Sequence, residues 1–234
     1  MTSEEILARL LYRDALMLVI DKPPGIAVHQ GPKGGDNLEA HFGALRFGLP
    51  RTPALAHRLD KDTSGCLVLG RHRKALETLG LLFKQGKISK TYWAVVEGAP
   101  PDEGLIDLPL GRLDSKRGWW MKVDPLGAAS QTRWRVVGRG VDAEEKPLAF
   151  LALEPLTGRT HQLRVHCAAM GWPILGDPIY GAGFVEGGPN LQLHARKIVV
   201  PLYKNKSAIE VEAEPPEHMR PWLALCAPAS VAAP

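Results

Sequence analysis

Twenty-four glycines and 20 prolines are spread through the 234 residues instead of being gathered into one block. Such punctuation describes many turns between short strands and not a disordered, low-complexity chain. The apolar pattern between the turns agrees. Thr2 and Glu5 form a Thr-x-x-Glu capping box that opens an N-terminal helix. A strand through Leu16 to Ile20 then ends at the Pro23-Pro24-Gly25 turn, and a second helix follows Asn37. Ala54 to Leu59 and Cys66 to Gly70 are short strands, and Lys74 to Lys84 is an amphipathic helix with Leu76, Leu79 and Phe83 on one stripe. Lys90 to Val96 alternates, which puts Tyr92, Ala94 and Val96 on one face and Trp93 and Val95 on the other. Further strands are expected at Gln131 to Val137, Leu148 to Glu154 and Leu193 to Val200. Thr160 to Met170 reads as a helix with Leu163, Cys167 and Met170 as its core stripe, and with Thr160 capping a start that could receive an anion. The whole is a strand-rich α+β pattern without regular βαβ alternation. No repeat of fixed period is present.

With 45% hydrophobic content, a chain of this length can bury a full core as one domain. No apolar run approaches the ~20 residues of a membrane span, and the acidic start Met1-Thr2-Ser3-Glu4-Glu5 argues against a secretory signal. A soluble, cytoplasmic protein is expected. Cys66, Cys167 and Cys226 have no C-x-x-C spacing, so neither a disulfide framework nor a zinc site is indicated, and they read as buried thiols. His161 and His166 lie five apart, on different helix faces, and no metal is expected. The absence of a Walker loop or a dinucleotide glycine fingerprint leaves no cofactor either.

The net charge of +4 fits a polyanionic partner without demanding one. Basic residues gather in Arg71-His72-Arg73-Lys74, in Lys84 to Lys90, and in Arg112 to Lys122, where Trp119 and Trp120 stand among Lys116, Arg117 and Lys122. Cations there would neutralise phosphate and aromatic faces could stack unpaired bases, or these are solvated surfaces with tryptophans in the core. In an extended segment, at most one of the two adjacent indoles would meet a partner.

The stretch His57-Arg58-Leu59-Asp60-Lys61-Asp62-Thr63-Ser64-Gly65 carries the chemistry. It sets Asp60 between two cations, which favour its ionised form, ahead of a hydroxyl-rich turn into an apolar strand. Taken alone, Asp60 could equally cap that turn. Three later segments add weight: Lys90-Thr91-Tyr92-Trp93-Ala94-Val95-Val96-Glu97-Gly98, Gly158-Arg159-Thr160-His161-Gln162-Leu163-Arg164-Val165-His166, and Leu175-Gly176-Asp177-Pro178-Ile179-Tyr180-Gly181.

In that order, these motifs resemble the RluA-type RNA pseudouridine synthase family. Leu18 to His29, with its Lys22-Pro23-Pro24-Gly25 turn, resembles the family's first strand, so the likeness runs from about Leu16 to His194. It implies a catalytic domain over 1–214 built on a mixed, mostly antiparallel sheet flanked by helices, with a central active-site cleft. The chain would begin directly at that domain, without the small RNA-binding module of many relatives. The tail, 215–234, matches nothing in the family; its first part could form a short docking helix, and Ala227 to Pro234 would be mobile.

The resemblance further implies that the chain isomerises uridine to pseudouridine in RNA, with neither cofactor nor metal. Asp60 would be the catalytic carboxylate, and Arg164 the arginine that pairs with it and fixes its rotamer. Tyr92 would stack on the uracil or donate its hydroxyl nearby, and Arg58 would fill the space left by a flipped nucleotide. His161, neighbouring Arg164 on the helix, joins the substrate-binding set. Loops of structured transfer or ribosomal RNA would be the targets of a monomeric enzyme, because flipping a base costs least there. Two other readings stay open: a catalytically silent RNA-binding module of the same fold, and a hydrolase with Asp60 as nucleophile and Asp62 or Asp177 as the acid.

Overall fold

The computed structural model describes residues 1–31, 34–114, 119–183 and 185–226. Among these described residues, four α-helices and twelve strands follow one another as α1 (Ser3–Ala8), β1 (Leu10–Arg13), β2 (Met17–Lys22), β3 (Ala54–Leu55), β4 (Ser64–Gly70), α2 (Arg73–Lys84) and β5 (Ser89–Glu97). Then come β6 (Glu103–Asp107), β7 (Leu110–Arg112), β8 (Met121–Val123), β9 (Gln131–Val141), β10 (Pro147–Pro155), α3 (Gln162–Ala169), β11 (Leu193–Val200), β12 (Ile209–Glu212) and α4 (Arg220–Cys226). Short 3-10 helices cover Leu38–Arg46 and Glu217–Met219. The strands pair mostly antiparallel, as α+β patterning without βαβ units requires. The chain divides into two compact units, Met1–Lys90 with Ala195–Glu214, and Thr91–His194 with the chain from Pro215.

In the first unit, β2 and β4 run antiparallel from Met17↔Gly70 to Lys22↔Gly65, with β1 beside β2 and β3 beside β4. Both are apolar on both faces, so their sequences read as continuous runs and not as alternation. Met17, Val19, Cys66 and Val68 join Ile198 and Val200 of β11 and Leu79 of α2 in one cluster, while Leu18, Ile20, Leu67 and Leu69 are fully buried on the opposite face. Each such side chain contributes roughly 1.5–3 kcal/mol on leaving water. The N-terminal capping box is present in full, with Glu5 N–H donating to Thr2 Oγ1 and Thr2 N–H to Glu5 Oε2. The segment after Asn37 is helical but 3-10, capped by the Asn37 side chain. The strand expected over Ala54 to Leu59 is only two residues long, because the chain leaves the sheet to form the Asp60 loop.

The second unit is built on the order β5-β10-β9-β6, with β7 and β8 as a separate hairpin. The alternation read from β5 holds. Ala94 and Val96, with Tyr92, pack with Leu151 and Leu153 of β10 and with Leu163 and Cys167 of α3. Trp93 and Val95 face the other way, against Phe150 and the Trp222, Leu223 and Cys226 side chains of α4. Thus α3 covers one face of this sheet and α4 the other, which gives the chain after Pro215 a place in the core. The end of the tail, Ala227 to Pro234, lies outside the described residues, as do Lys116 and Arg117.

One helix boundary needs correction. The helix begins at Gln162, two residues later than its periodicity suggests, and Thr160 does not cap it. The Gln162 side chain closes this end instead, since its Oε1 accepts the Arg159 N–H at 3.0 Å and the Thr157 hydroxyl at 2.7 Å. The helix is also buried on more than one stripe, since Gln162 to Cys167 are all inside, while Met170, expected in the core, is 40% exposed.

Candidate active site

The residues marked by the sequence fall into two groups, one in each unit. In the first unit, Asp60 lies on the loop between β3 and β4. Leu59 anchors that loop in the core, Arg58 is exposed and the Asp60 side chain is half-exposed. After Asp60 the chain turns, with Thr63 N–H donating to the Asp60 carbonyl at 3.3 Å, and Thr63 and Ser64 are buried. Gly65 then has φ +104 and lies against the neighbouring strand, where a Cβ would stand 2.3 Å from the Ala195 carbonyl oxygen. Only glycine satisfies both conditions, so the exit of the loop is fixed by the chain itself.

Lys22 holds the loop from beneath. Its Nζ is fully buried and donates to the carbonyls of Pro23 at 2.9 Å, Lys61 at 2.8 Å and Thr63 at 2.8 Å. The three donors of an ammonium are thereby matched by three acceptors, two of them just after Asp60 in sequence. Burial pushes the Lys22 ammonium down to about 8, while the negative charges of Asp62, Asp60 and Asp21 work the other way. His57, at the start of the loop, accepts the Val68 N–H on Nε2 at 3.0 Å and packs against Phe83. Removal from water, then the nearby charge of Lys90, push its imidazole down to about 3.

In the second unit, the motif residues His161, Arg164, Asp177 and Tyr180 come together. Arg164 is 3% exposed and forks onto Asp177, with Nε to Oδ2 and Nη2 to Oδ1, both at 2.7 Å. Asp177 Oδ1 also accepts the N–H groups of Ile179 and Tyr180 at 2.9 and 3.0 Å. Burial opposes the charge on Asp177, yet the Arg164 fork and these two amides outweigh it and hold the carboxyl below the usual carboxylate range. Gly176, with φ +74, lets the chain pass into the turn beside the Asn190 carbonyl, 2.3 Å from where a Cβ would be. The resemblance paired Arg164 with Asp60, and Asp177 is a partner that it did not name. The LGDPIYG motif was the signal available, since it places an aspartate at a glycine turn near the helix.

Tyr180 joins the group from the same turn. Its ring lies 5.2 Å from the Arg164 guanidinium carbon, and its Oη accepts the Met121 N–H at 2.9 Å and is hydrogen-bonded to His161 Nδ1 at 2.7 Å. His161 is buried and has a left-handed backbone, φ 52, a strain that surrounding contacts must hold. Tyr92 sits on β5 opposite Leu153, half-buried against the cluster that includes Leu163.

Behind these residues runs a second polar chain that the sequence did not reveal. Gln162 Nε2 donates to the Gln131 carbonyl and to Thr132 Oγ1, the Thr132 hydroxyl donates to His166 Nδ1 at 2.9 Å, and His166 Nε2–H donates to the Leu108 carbonyl at 3.0 Å. This order takes His166 as neutral, the form that burial favours by lowering its pKa. It also ties the start of α3, and hence Arg164, to β9. Among the described residues, no group of three or more His, Cys, Asp or Glu side chains could hold a metal ion.

Comparison with known proteins shows the family of the chain. The family model described as RNA pseudouridylate synthase matches residues 16–169. An RNA pseudouridine synthase of Zymomonas mobilis is 42% identical over 212 residues, covering 89% of this chain and 94% of its own. The dual-specificity RNA pseudouridine synthase RluA of Salmonella typhi is 36% identical over 212 residues, covering 88% and 93%. Other relatives are longer, and the chain spans 51% to 62% of four of them. Among solved structures, human RNA pseudouridylate synthase domain containing 1 superposes with a TM-score of 0.75 at 29% identity, covering 97% of this chain and 90% of that one.

Proposed function

Because the chain belongs to the RluA type of the RNA pseudouridine synthases, enzymes that isomerise uridine to pseudouridine in RNA, we propose that Asp60 is its essential carboxylate and that it acts on flipped-out uridines of structured transfer or ribosomal RNA. The observation that carries this reading is the construction of the Asp60 loop. A half-exposed carboxylate stands on a turn whose neighbouring carbonyls are held by the buried Lys22 ammonium, within the residues matched by the family. A reactive group needs such pre-organisation, whereas a plain turn cap does not.

The isomerisation breaks the bond from ribose to base nitrogen, turns the uracil while it stays bound, and rejoins it through a base carbon. An ionised Asp60 serves attack on the ribose, attack on the base or removal of a ribose proton equally well. Tyr92, His161 and Arg164 bind the nucleotide, with Arg164 already oriented by Asp177. Arg58, exposed on the Asp60 loop, fills the space vacated by the flipped base, where its planar guanidinium can stack as well as pair. Flipping costs a few kcal/mol and is cheapest in loops, which favours stem-loops of either RNA class. The Salmonella relative is named a dual-specificity enzyme, which supports more than one specificity here too. The cytoplasmic location and monomeric state expected from the sequence remain part of the proposal; separately, no helix among the described residues is long and apolar enough to cross a membrane.

The hydrolase reading loses its motif-linked acid, because Asp177 is buried and engaged with Arg164 and two backbone amides. RNA tritiated at uracil C5 tests what remains. Isomerisation releases tritium to water as C5 bonds to ribose, without free uracil, and Asp60→Asn abolishes the release. Free uracil would establish hydrolysis, and bound RNA without tritium release would establish a silent module.

A further inference from the structure

Of the two adjacent tryptophans, the reaction as proposed uses neither, and the structure distinguishes them. Trp119 is 58% exposed, whereas Trp120 is half-buried. An indole left in water to this extent is a large apolar plane, and this one is held in place. Its ring centroid lies 5.7 Å from that of Trp120 at 77°, and 5.6 Å from that of His161 at 79°. Both contacts are nearly perpendicular, so neither neighbour stacks flat upon it. The segment itself is fastened just after Trp119, by Leu113 N–H donating to the Trp120 carbonyl at 2.7 Å and by Met121 N–H donating to Tyr180 Oη.

Trp119 thereby heads an arc of contacts. It meets His161, His161 meets Tyr180 at a centroid distance of 5.5 Å, and Tyr180 lies beneath the guanidinium of buried Arg164. Two of these, His161 and Arg164, are residues assigned above to the nucleotide. Arg112 and Lys122, exposed on the β7–β8 hairpin, add positive charge close by in the same hairpin. A fixed, exposed aromatic plane beside cations is the arrangement that receives an unpaired base with its phosphate. We propose that Trp119 is a stacking platform for one unpaired nucleobase flanking the target uridine. The inference rests on the reading that His161 and Arg164 bind that uridine.

Binding is measured on the Asp60→Asn chain, so that affinity is read without turnover, using a stem-loop RNA and copies of it with an abasic nucleotide at each position flanking the loop uridine. Trp119→Ala weakens binding roughly 5- to 150-fold, the range for loss of one base stack, and Trp119→Phe recovers most of it. One abasic position weakens the Trp119 chain by a similar factor and costs the Trp119→Ala chain nothing more. Unchanged affinity of Trp119→Ala, or losses that multiply at every abasic position, would overturn the platform. The reading of function fails separately: the binding pattern would then appear without pseudouridine formation by the chain with Asp60 intact, whereas pseudouridine formation without the pattern removes the platform alone.

Discussion

Asp177 does two things with one carboxylate, since it neutralises a buried guanidinium and closes the turn that delivers Tyr180. Taking the forked carboxylate away from a buried guanidinium costs about 3–5 kcal/mol. Asp177→Asn is therefore expected to lower the unfolding free energy by about that amount in urea titrations and to reduce pseudouridine formation as well. A double variant separates the two effects. Arg164→Met with Asp177→Asn removes both charges and keeps an oxygen to accept the Ile179 and Tyr180 N–H groups, which should recover most of the stability. It should recover no activity, because the guanidinium is gone; an active double variant would show that Arg164 serves only the fold.

Among the elements, the Asp60 loop and helix α3 are held by different means. Lys22→Met removes three donors, and although the Lys61 carbonyl keeps the Gly25 N–H, the Pro23 and Thr63 carbonyls lose a buried partner. The expected outcome is a stability loss of about 1–3 kcal/mol, read from the urea midpoint. Histidine gives both elements a pH dependence. The imidazoles of His57 and His166 are held neutral, with pKa values depressed from the ordinary 6.5, in His57 to about 3. Unfolded chains bind these protons first as pH falls, so the stability present above about pH 6.5 declines through the window down toward 3. Urea midpoints measured across that window should fall with acid, and less steeply in His57→Gln; a midpoint independent of pH would contradict the assignment. Helix α3 also marks where sequence reading fails. Its periodicity placed Leu163 and Cys167 correctly, but its start depended on the Gln162 side chain reaching the Arg159 amide, a choice that no capping rule for Thr160 could foresee. Similarly, β6, β7, β8 and β12 are short, with little alternation, and only pairing partners supplied by the fold make them strands.

For the whole molecule, local patterns were enough to read β5, β10, β11, α2 and the capped α1, and ordered motifs were enough to mark the Asp60 loop and the residues around Arg164. The Arg164–Asp177 pair, the Lys22 brace and the Gln162–Thr132–His166 chain were not legible, because each joins side chains whose meeting is decided by the fold and not by spacing. The net charge of +4 belongs to this scale as well. If exposed cations such as Lys122 contact phosphate, RNA affinity falls linearly with salt on logarithmic axes, and Lys122→Ala lowers that slope by about 1. A slope unchanged by Lys122→Ala would exclude that contact. The central claim is that Asp60 performs the isomerisation, and it is tested most directly by mapping pseudouridine in total RNA from cells lacking this protein, complemented with the wild-type chain or with Asp60→Asn accumulating to the same level. The account predicts that a site in transfer or ribosomal RNA disappears and that only the wild-type chain restores it; restoration by Asp60→Asn would contradict it.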